Sequence, residues 1–314
     1  RMAADPEPTE AGVFDYQSDD VARPGLVRDL ERLVDGDVRF DDYSRQLYAT
    51  DASAYEVTPV GVVFPESTAD VSAVVSYCAK RDIPVLPRGG GTSLAGQTVN
   101  EAVVLDFSAE MGEIREVDPD AATATAQVGT IVADLNAACE PHGLKFAPDP
   151  AWRDKSALGG AIGNNSTGSH SLKYGKTDAY IESCEVVLAD GTVTAFGEVR
   201  VGDLREQADE DGDAEARIAA GVTEALDDHA AEVRERYPEM KRNVSGYNLD
   251  MLVNEATENG EITDESTVNL ARLLAGSEGT LAIVTEATVS LEPIPETKAV
   301  GLLAYDDLLD AMAD

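Results

Sequence analysis

The sequence predicts an α+β fold with room for two packed units, and three observations lead there. Its 314 residues exceed the ~100–150 common for one domain, and a hydrophobic fraction of 43% suffices for a real core. Residues 61–87 read as strand, helix, strand, with β-branched runs on either side of a helical period. From Ile114 onward, alternating runs joined by Asp-Pro-Asp and Asp-Gly turns read as antiparallel hairpins.

Taken in order, an acidic, Pro-rich tail (1–22) precedes a helix whose apolar face is Leu26, Leu30, Leu33 and Val34, ended by Gly36. Gly61 to Pro65 is a buried strand. Ser67-Thr68-Ala69-Asp70 has the pattern of a capping box, opening a helix that buries Val71, Val74, Val75 and Cys78. A strand from Ile83 to Pro87 then delivers the chain into a glycine-rich run. Val103 to Phe107 is a further strand, and a hairpin turns at Asp118-Pro119-Asp120. A helix spans 131–140. Glu185 to Val193 is two strands about an Asp-Gly turn, and strands resume from Thr280 to Leu291. Residues 203–213 and 254–265 are acid-rich and poor in large apolar side chains, as expected of solvated insertions or exposed helix ends.

Charge narrows the function. Sixty acidic against 24 basic residues leave a formal net charge of -36, which repels nucleic acid and anionic lipid. Such acidity is expected of a halophile, whose carboxylates keep the surface hydrated in screening salt. No apolar run approaches the ~20 residues that span a bilayer, and no secretory leader is visible, so a cytoplasmic protein without a membrane span or nucleic-acid partner is expected. Three widely spaced cysteines and three scattered histidines form no metal-ligand pattern, so no metal is expected and the cysteines are read as buried. Against this background, Lys145 to Lys176 carries five basic and only two acidic residues. A positive field inside a negative one suits a bound polyanion such as a pyrophosphate.

Three glycine-rich segments carry the chemistry. Arg88-Gly89-Gly90-Gly91-Thr92-Ser93 follows a strand and offers consecutive backbone donors with no bulky side chain to keep an anion away. A flexible turn is the alternative reading. Gln97 stands where a P-loop has its lysine, and no Gly-x-Gly-x-x-Gly opens a helix, which disfavours an ATPase or a nicotinamide-binding Rossmann enzyme. The second segment, Pro148 to Gly175, supplies amide and hydroxyl groups for polar ligand edges at Asn164 to Thr167, with Leu158 and Ile162 to pack against a ring. In the third, Gly276-Ser277-Glu278-Gly279 precedes a β-branched strand and permits close backbone approach.

In order and spacing, from about Tyr48 to Pro295, these segments with Ala189-Asp190-Gly191 resemble the PCMH-type FAD-binding domain of the vanillyl-alcohol-oxidase family. The resemblance is to the branch containing D-lactate dehydrogenase, the glycolate oxidase flavin subunit and D-2-hydroxyglutarate dehydrogenase. It implies two α+β subdomains holding extended FAD between them, 23–120 and 121–292, with 293–314 beginning a substrate domain that this chain mostly lacks. It places cofactor contacts at Pro87, Arg88, Gly89, Gly90, Gly91, Thr92, Ser93, Leu94 and Gln97 in the first segment. In the second they fall on Pro148, Asp149, Leu158, Gly159, Gly160, Ile162, Gly163, Asn164, Asn165, Ser166, Gly168, Ser169, Tyr174 and Gly175. In the third they fall on Gly276, Glu278, Gly279, Ile283 and Val284.

Covalent relatives attach flavin through a histidine near the first loop or a cysteine in the second. Gly91, Thr92 and Ser93 occupy the first neighbourhood, and no cysteine lies between Cys139 and Cys184, so noncovalent FAD is expected. Ala282 replaces a usual glycine, and Lys173 stands where an arginine commonly precedes Tyr-Gly. The resemblance further implies a small 2-hydroxyacid substrate and an electron acceptor, with any iron–sulfur cluster in a cysteine-rich part absent from this chain, where the catalytic residues would also lie. A noncatalytic electron-transfer module and a same-fold reductase or synthase are the competing readings. Of single residues, His170 is read as a flavin or phosphate contact or a structural hydrogen bond, and Trp152 as a ring cover or an interface packer. His142 is read as a helix-end cap and His229 as solvated. Lys241 to Asn248 resembles a segment near the flavin's reactive edge, or is a basic helix end.

Overall fold

The computed structural model describes residues 24–238, 240, 243–244, 246–297, 299 and 301–313. The tail 1–22 and Lys241, Arg242 and Ser245 of the basic segment lie outside them. Helix α1 (Pro24–Leu33) buries Leu26 and Leu30 at helical spacing. After β1 (Asp37–Arg39), α2 (Asp42–Leu47) is capped by Asp41, whose carboxylate accepts the Ser44 N–H at 2.9 Å. Strand β2 (Gly61–Phe64) leads to α3 (Thr68–Ala79), then β3 (Val85–Arg88) and β4 (Val103–Asp106). The sheet order is β1-β2-β4-β3, parallel except for β1. Every residue of β2 and β4 is buried, as expected of parallel strands covered on both faces.

The capping box is only half formed. Ser67 Oγ accepts the Asp70 N–H at 3.2 Å, but the Asp70 carboxylate accepts from Glu66 at 2.9 Å and from Asp35 and Gly36 at 3.1 and 3.2 Å. Three backbone donors that would otherwise be orphaned are satisfied by one buried side chain, which ties α3 to the end of α1.

The second sheet is antiparallel throughout. The hairpin β5 (Ile114–Asp118) and β6 (Thr123–Gln127) leads through α4 (Val132–Cys139), β7 (Leu144–Lys145), α5 (Leu158–Gly163) and α6 (Ser171–Tyr174) to β8 (Ile181–Val187) and β9 (Val193–Phe196). Both hairpin strands belong to this sheet, so the division between the sheets falls ahead of Ile114. The Asp-Gly turn forms as read, with Gly191 at φ 92° and Leu188 N–H donating to Thr192 C=O at 2.8 Å.

The acid-rich stretches turn out to edge a lobe with a core of its own. It contains β10 (Glu198–Arg200), α7 (Val201–Gln207), α8 (Ala214–Asp227), α9 (Ala230–Arg236), α10 (Leu249–Ala256) and β11 (Thr267–Asn269), which pairs with β10. Val201, Leu204, Val222, Leu226, Leu252 and Val253 are buried together there. Their acidic neighbours face outward, and Arg205 bridges Asp227 and Asp264 across the lobe. Helix α11 (Leu270–Leu273) returns the chain to β12 (Ile283–Ser290), which alternates buried and half-buried residues and completes the order β5-β6-β12-β8-β9. A short β13 (Glu292–Pro293) pairs with β7, and α12 (Leu308–Ala313) is exposed.

The two sheets share a core. Val128, Val187 and Ile283 on the side of the second pack with Val103 and Leu105 of the first and with Val74 of α3. Ser72 Oγ donates to Gly191 C=O at 2.5 Å, and Thr68 Oγ1 donates to the Glu185 carboxylate at 2.6 Å, so α3 is locked across β8 and its turn. The glycine-rich segments meet along this seam.

Candidate functional site

A cleft opens where the end of β3, helix α5 and the approach to β12 come together. The first segment contributes Pro87, Arg88, Gly89 and Gln97 to its lining; the second contributes Gly159, Gly160, Ile162, Gly163 and Asn164; the third contributes Glu278 and Gly279, with Val284 just beyond. Thr98, Phe107, Val128, Leu274, Ser277 and Ala282 complete it. Ser277 and Ala282 sit inside a recognised motif and Thr98 beside one. Phe107 and Val128 are ordinary strand-end apolar residues, and no sequence signal distinguishes them from core.

Close packing explains the glycines. A Cβ on Gly89 would stand 2.6 Å from the Ala157 Cβ, and one on Gly90 only 1.8 Å from the Lys155 carbonyl oxygen. The first loop therefore lies directly on the second segment, and Thr92 Oγ1 meets Ser156 Oγ at 3.2 Å. Gly160 differs, since a Cβ there meets nothing within 4 Å and would project into free space at the cleft wall. Three glycines in six residues favour a loop, yet Leu158–Gly163 is helical, with Leu158, Ala161 and Ile162 buried. Tertiary contact outweighs the weak helix propensity of glycine there. Sequence-assigned Asp149, Asn165 and Glu278 all have positive φ, of 41°, 46° and 54°. Such conformations cost energy and persist where surrounding structure enforces them, commonly around ligand sites.

Arg88 lines the cleft, but its guanidinium is engaged with the chain. It donates to the carbonyls of Tyr48 at 3.2 Å, Thr98 at 2.9 Å and Thr50 at 2.8 Å, and lies 5.0 Å from the centre of the Tyr48 ring. Thr98 follows the first loop, so one cation ties both ends of that loop to residues 48–50. Burial lowers the Arg88 pKa from its ordinary value, opposed by the Asp106 carboxylate. Burial also raises the Tyr48 pKa, helped by the short hydrogen bond its hydroxyl donates to Asp106.

The basic excess of 145–176 is likewise absorbed before it reaches the cleft. Lys145 and Lys173 place their ammonium groups 4.2 and 4.7 Å from the Tyr174 ring centre. A hydrogen bond from Lys173, then the nearby positive charges, lower the Tyr174 pKa. Arg153 pairs with Asp149 and Asp154 at 3.6 and 3.7 Å, Lys155 sits 5.9 Å from the Trp152 ring, and Lys176 pairs with Asp178 at 2.8 Å. These cations shape the field around the cleft rather than its wall.

The remaining sequence-assigned residues stand behind the wall or beside it. Gly90, Gly91, Thr92 and Ser93 form the body of the first loop, where the Ser93 hydroxyl donates to Gln97 Oε1, and Leu94 is exposed. The Asp149 carbonyl packs on Gly168, and its carboxylate holds His170 Nδ1 at 3.0 Å, the structural alternative for that histidine. Pro148 and Leu158 are buried, and Ser166 C=O accepts the Thr177 hydroxyl at 2.9 Å. Ser169 is exposed, while Tyr174 and Gly175 end α6. Gly276 lies against the Gly246 carbonyl, and Ile283 belongs to the shared core. Trp152 is 55% exposed and outside the cleft lining. Cys78, Cys139 and Cys184 are buried, which pushes their thiols up to about 12, 11 and 12. Among the described residues no group of three His, Cys, Asp or Glu side chains is placed to hold a metal ion, and no helix is long and apolar enough to cross a membrane.

Residues 59–197 match a family described as FAD binding domain. D-2-hydroxyglutarate dehydrogenase of Pantoea ananatis is 31% identical over 294 residues, covering 90% of this chain and 28% of that protein. Glycolate oxidase subunit GlcD of Bacillus subtilis is 34% identical over 285 residues, covering 89% of this chain and 47% of that protein. D-lactate dehydrogenase [cytochrome] 1, mitochondrial, of Saccharomyces cerevisiae is 27% identical over 311 residues, covering 95% and 42%. This chain therefore spans less than half the length of each. Among solved structures, an alkyldihydroxyacetonephosphate synthase superposes with a TM-score of 0.58 at 22% identity over 87% of this chain and 41% of the other, a likeness of fold alone.

Proposed function

We propose, from the premise that this chain belongs through residues 59–197 to the PCMH-type FAD-binding family, that it is the flavin-holding portion of a D-2-hydroxyacid dehydrogenase of D-lactate, glycolate or D-2-hydroxyglutarate type. The observation that carries the reading is the convergence of three sequence-distant glycine segments on one cleft. Its lining suits a dinucleotide: Gly89, Gly159, Gly160, Gly163 and Gly279 bring backbone to the wall, and Asn164 and Gln97 add amides. Space left open beside Gly160 is space a side chain would fill.

The first loop would meet the pyrophosphate where Gly89 brings its backbone to the cleft, with Gly90 to Ser93 supporting it from beside and Arg88 keeping the loop in shape. Phe107, Val128, Ile162 and Val284 exclude water along the apolar wall. Bound FAD supplies a two-electron acceptor for the hydride of a substrate carbon. The cofactor is held noncovalently in this reading, supported by Gly91, Thr92 and Ser93 in the first loop and by the burial of Cys139 and Cys184 in the core. The electron acceptor is an iron–sulfur domain or another partner outside this chain. A cytoplasmic, high-salt setting is part of the same proposal, supported by the net charge of -36.

The test has two steps. The purified chain, stripped and titrated with FAD, should quench FAD fluorescence and turn yellow with a resolved flavin spectrum that acid or heat releases; failure to bind added FAD overturns the cofactor assignment. The flavin-loaded protein joined to a substrate domain, mixed anaerobically with D-lactate, glycolate or D-2-hydroxyglutarate, should bleach near 450 nm with at least one of them. A yellow protein indifferent to all three overturns the substrate assignment and leaves the first intact.

A further inference from the structure

Lys176 is deeply placed for a cation, with its side chain 14% exposed, and its partner Asp178 is 1% exposed. A charge pair so placed is costly unless further hydrogen bonds support it, and Asn165 and Asn243 supply them here. Asp178 Oδ2 accepts from Lys176 Nζ at 2.8 Å and from Asn165 Nδ2 at 2.9 Å, while the Asp178 N–H donates to Asn165 Oδ1 at 3.0 Å. The Asn165 side chain is thus held from both ends, fixing a residue whose φ of 46° it must otherwise sustain alone. Lys176 Nζ also donates to the backbone carbonyl of Asn243 at 3.0 Å. Three residues on, the Gly246 carbonyl lies 2.9 Å from where a Cβ on Gly276 would stand, and the Asn165 Cβ lies 3.7 Å from the same point. The second segment, Asn243 and Gly246, and the third segment are therefore joined around one ion pair, neither of whose members lines the cleft.

We infer that Lys176 and Asp178 are positioning residues that set the second and third cofactor segments, with Asn243 and Gly246 between them, in one mutual arrangement. The inference rests on the FAD reading for its purpose and on the hydrogen bonds alone for its mechanics. Removing the ammonium deletes its hydrogen bond to the Asn243 carbonyl and leaves a carboxylate buried beside Asn165; both changes loosen the two segments at once. Neutralising both partners relieves the buried charge but does not restore the link to Asn243.

Hydrogen exchange followed by mass spectrometry on the full chain, with Lys176→Met and with the double variant Lys176→Met/Asp178→Asn, tests this. Peptides covering 162–168, 243–248 and 274–279 should each exchange at least tenfold faster in both, with β8 and β12 unchanged, and the Kd for FAD should rise at least tenfold. The double variant carries no unpaired buried charge, so it retains the fold if the single one does not. Faster exchange confined to 176–178, or spread evenly through the chain, overturns the inference, as does an FAD affinity within twofold of the parent. If the parent chain itself binds no FAD, the cofactor reading falls, and the exchange pattern still decides whether the segments are coupled.

Discussion

Arg88 offers the sharpest test of how the first loop works. If its charge acts on a phosphate, Arg88→Lys preserves binding; if its planar fork acts on the chain, lysine fails almost as badly as glutamine. The geometry favours the fork, with three backbone carbonyls within 3.2 Å of two guanidinium nitrogens. A lysine ammonium at the same position reaches one of them and leaves two. Hydrogen bonds to charged groups contribute roughly 1.5–3 kcal/mol each; since Arg88 is only partly buried, water recovers part of two such losses, giving about 3 kcal/mol. For a chain of this size that is a fall of roughly 4–5 °C in melting temperature. Calorimetry of the apo chain and fluorescence titration with FAD read the two effects. Arg88→Lys and Arg88→Gln should lose stability together and FAD affinity by a similar factor, at low and high salt alike. Parent-like melting and affinity for Arg88→Lys, with loss only in Arg88→Gln, would refute the clamp and return the residue to direct phosphate contact.

Other outcomes follow from the same geometry. Gly160→Ala should fold as well as the parent, gaining about 0.5–1 kcal/mol from reduced backbone freedom, while Gly160→Phe keeps a near-parental melting temperature and abolishes FAD binding by filling the cleft. Gly90→Ala should lose both, because its Cβ would stand 1.8 Å from a backbone oxygen; a melting scan and an FAD titration distinguish the two glycines. The three thiols should be silent to a thiol reagent at pH 8 and all react in denaturant. Their raised pKa values favour the neutral form in the folded state, so the stability they contribute is full below about pH 9 and is lost as pH climbs toward 11–12. Urea unfolding between pH 8 and 11 should show that decline, and Cys184→Ala should flatten it.

The first sheet was legible because its signals are local. Buried runs such as Gly61 to Phe64, the Ser67 cap and the Val71, Val74, Val75 face specify their own conformations with little reference to the rest. The helical lobe was not, because its apolar residues are spread over some seventy positions among carboxylates, and only folding shows Val201, Leu226 and Leu252 to be one core. Helix α5 escaped for the opposite reason: glycine is chosen there for contact with Val128 and the cleft, at the expense of propensity.

For the site, the order and spacing of the glycine runs specified which chemistry to expect, since a backbone free of side chains is a property of the chain wherever it folds. The duties of the charged residues were assigned by packing. Arg88 and Lys176 both look like anion ligands in one dimension, and each instead spends donors on carbonyls brought from 10 to 67 positions away, Lys176 also on the nearby Asp178 carboxylate. A cation's partner depends on distance in space, to which spacing along the chain sets no bound once two sheets share a core. The glycine pattern therefore named the cradle, and the fold decided which side chains face its ligand and which hold its walls.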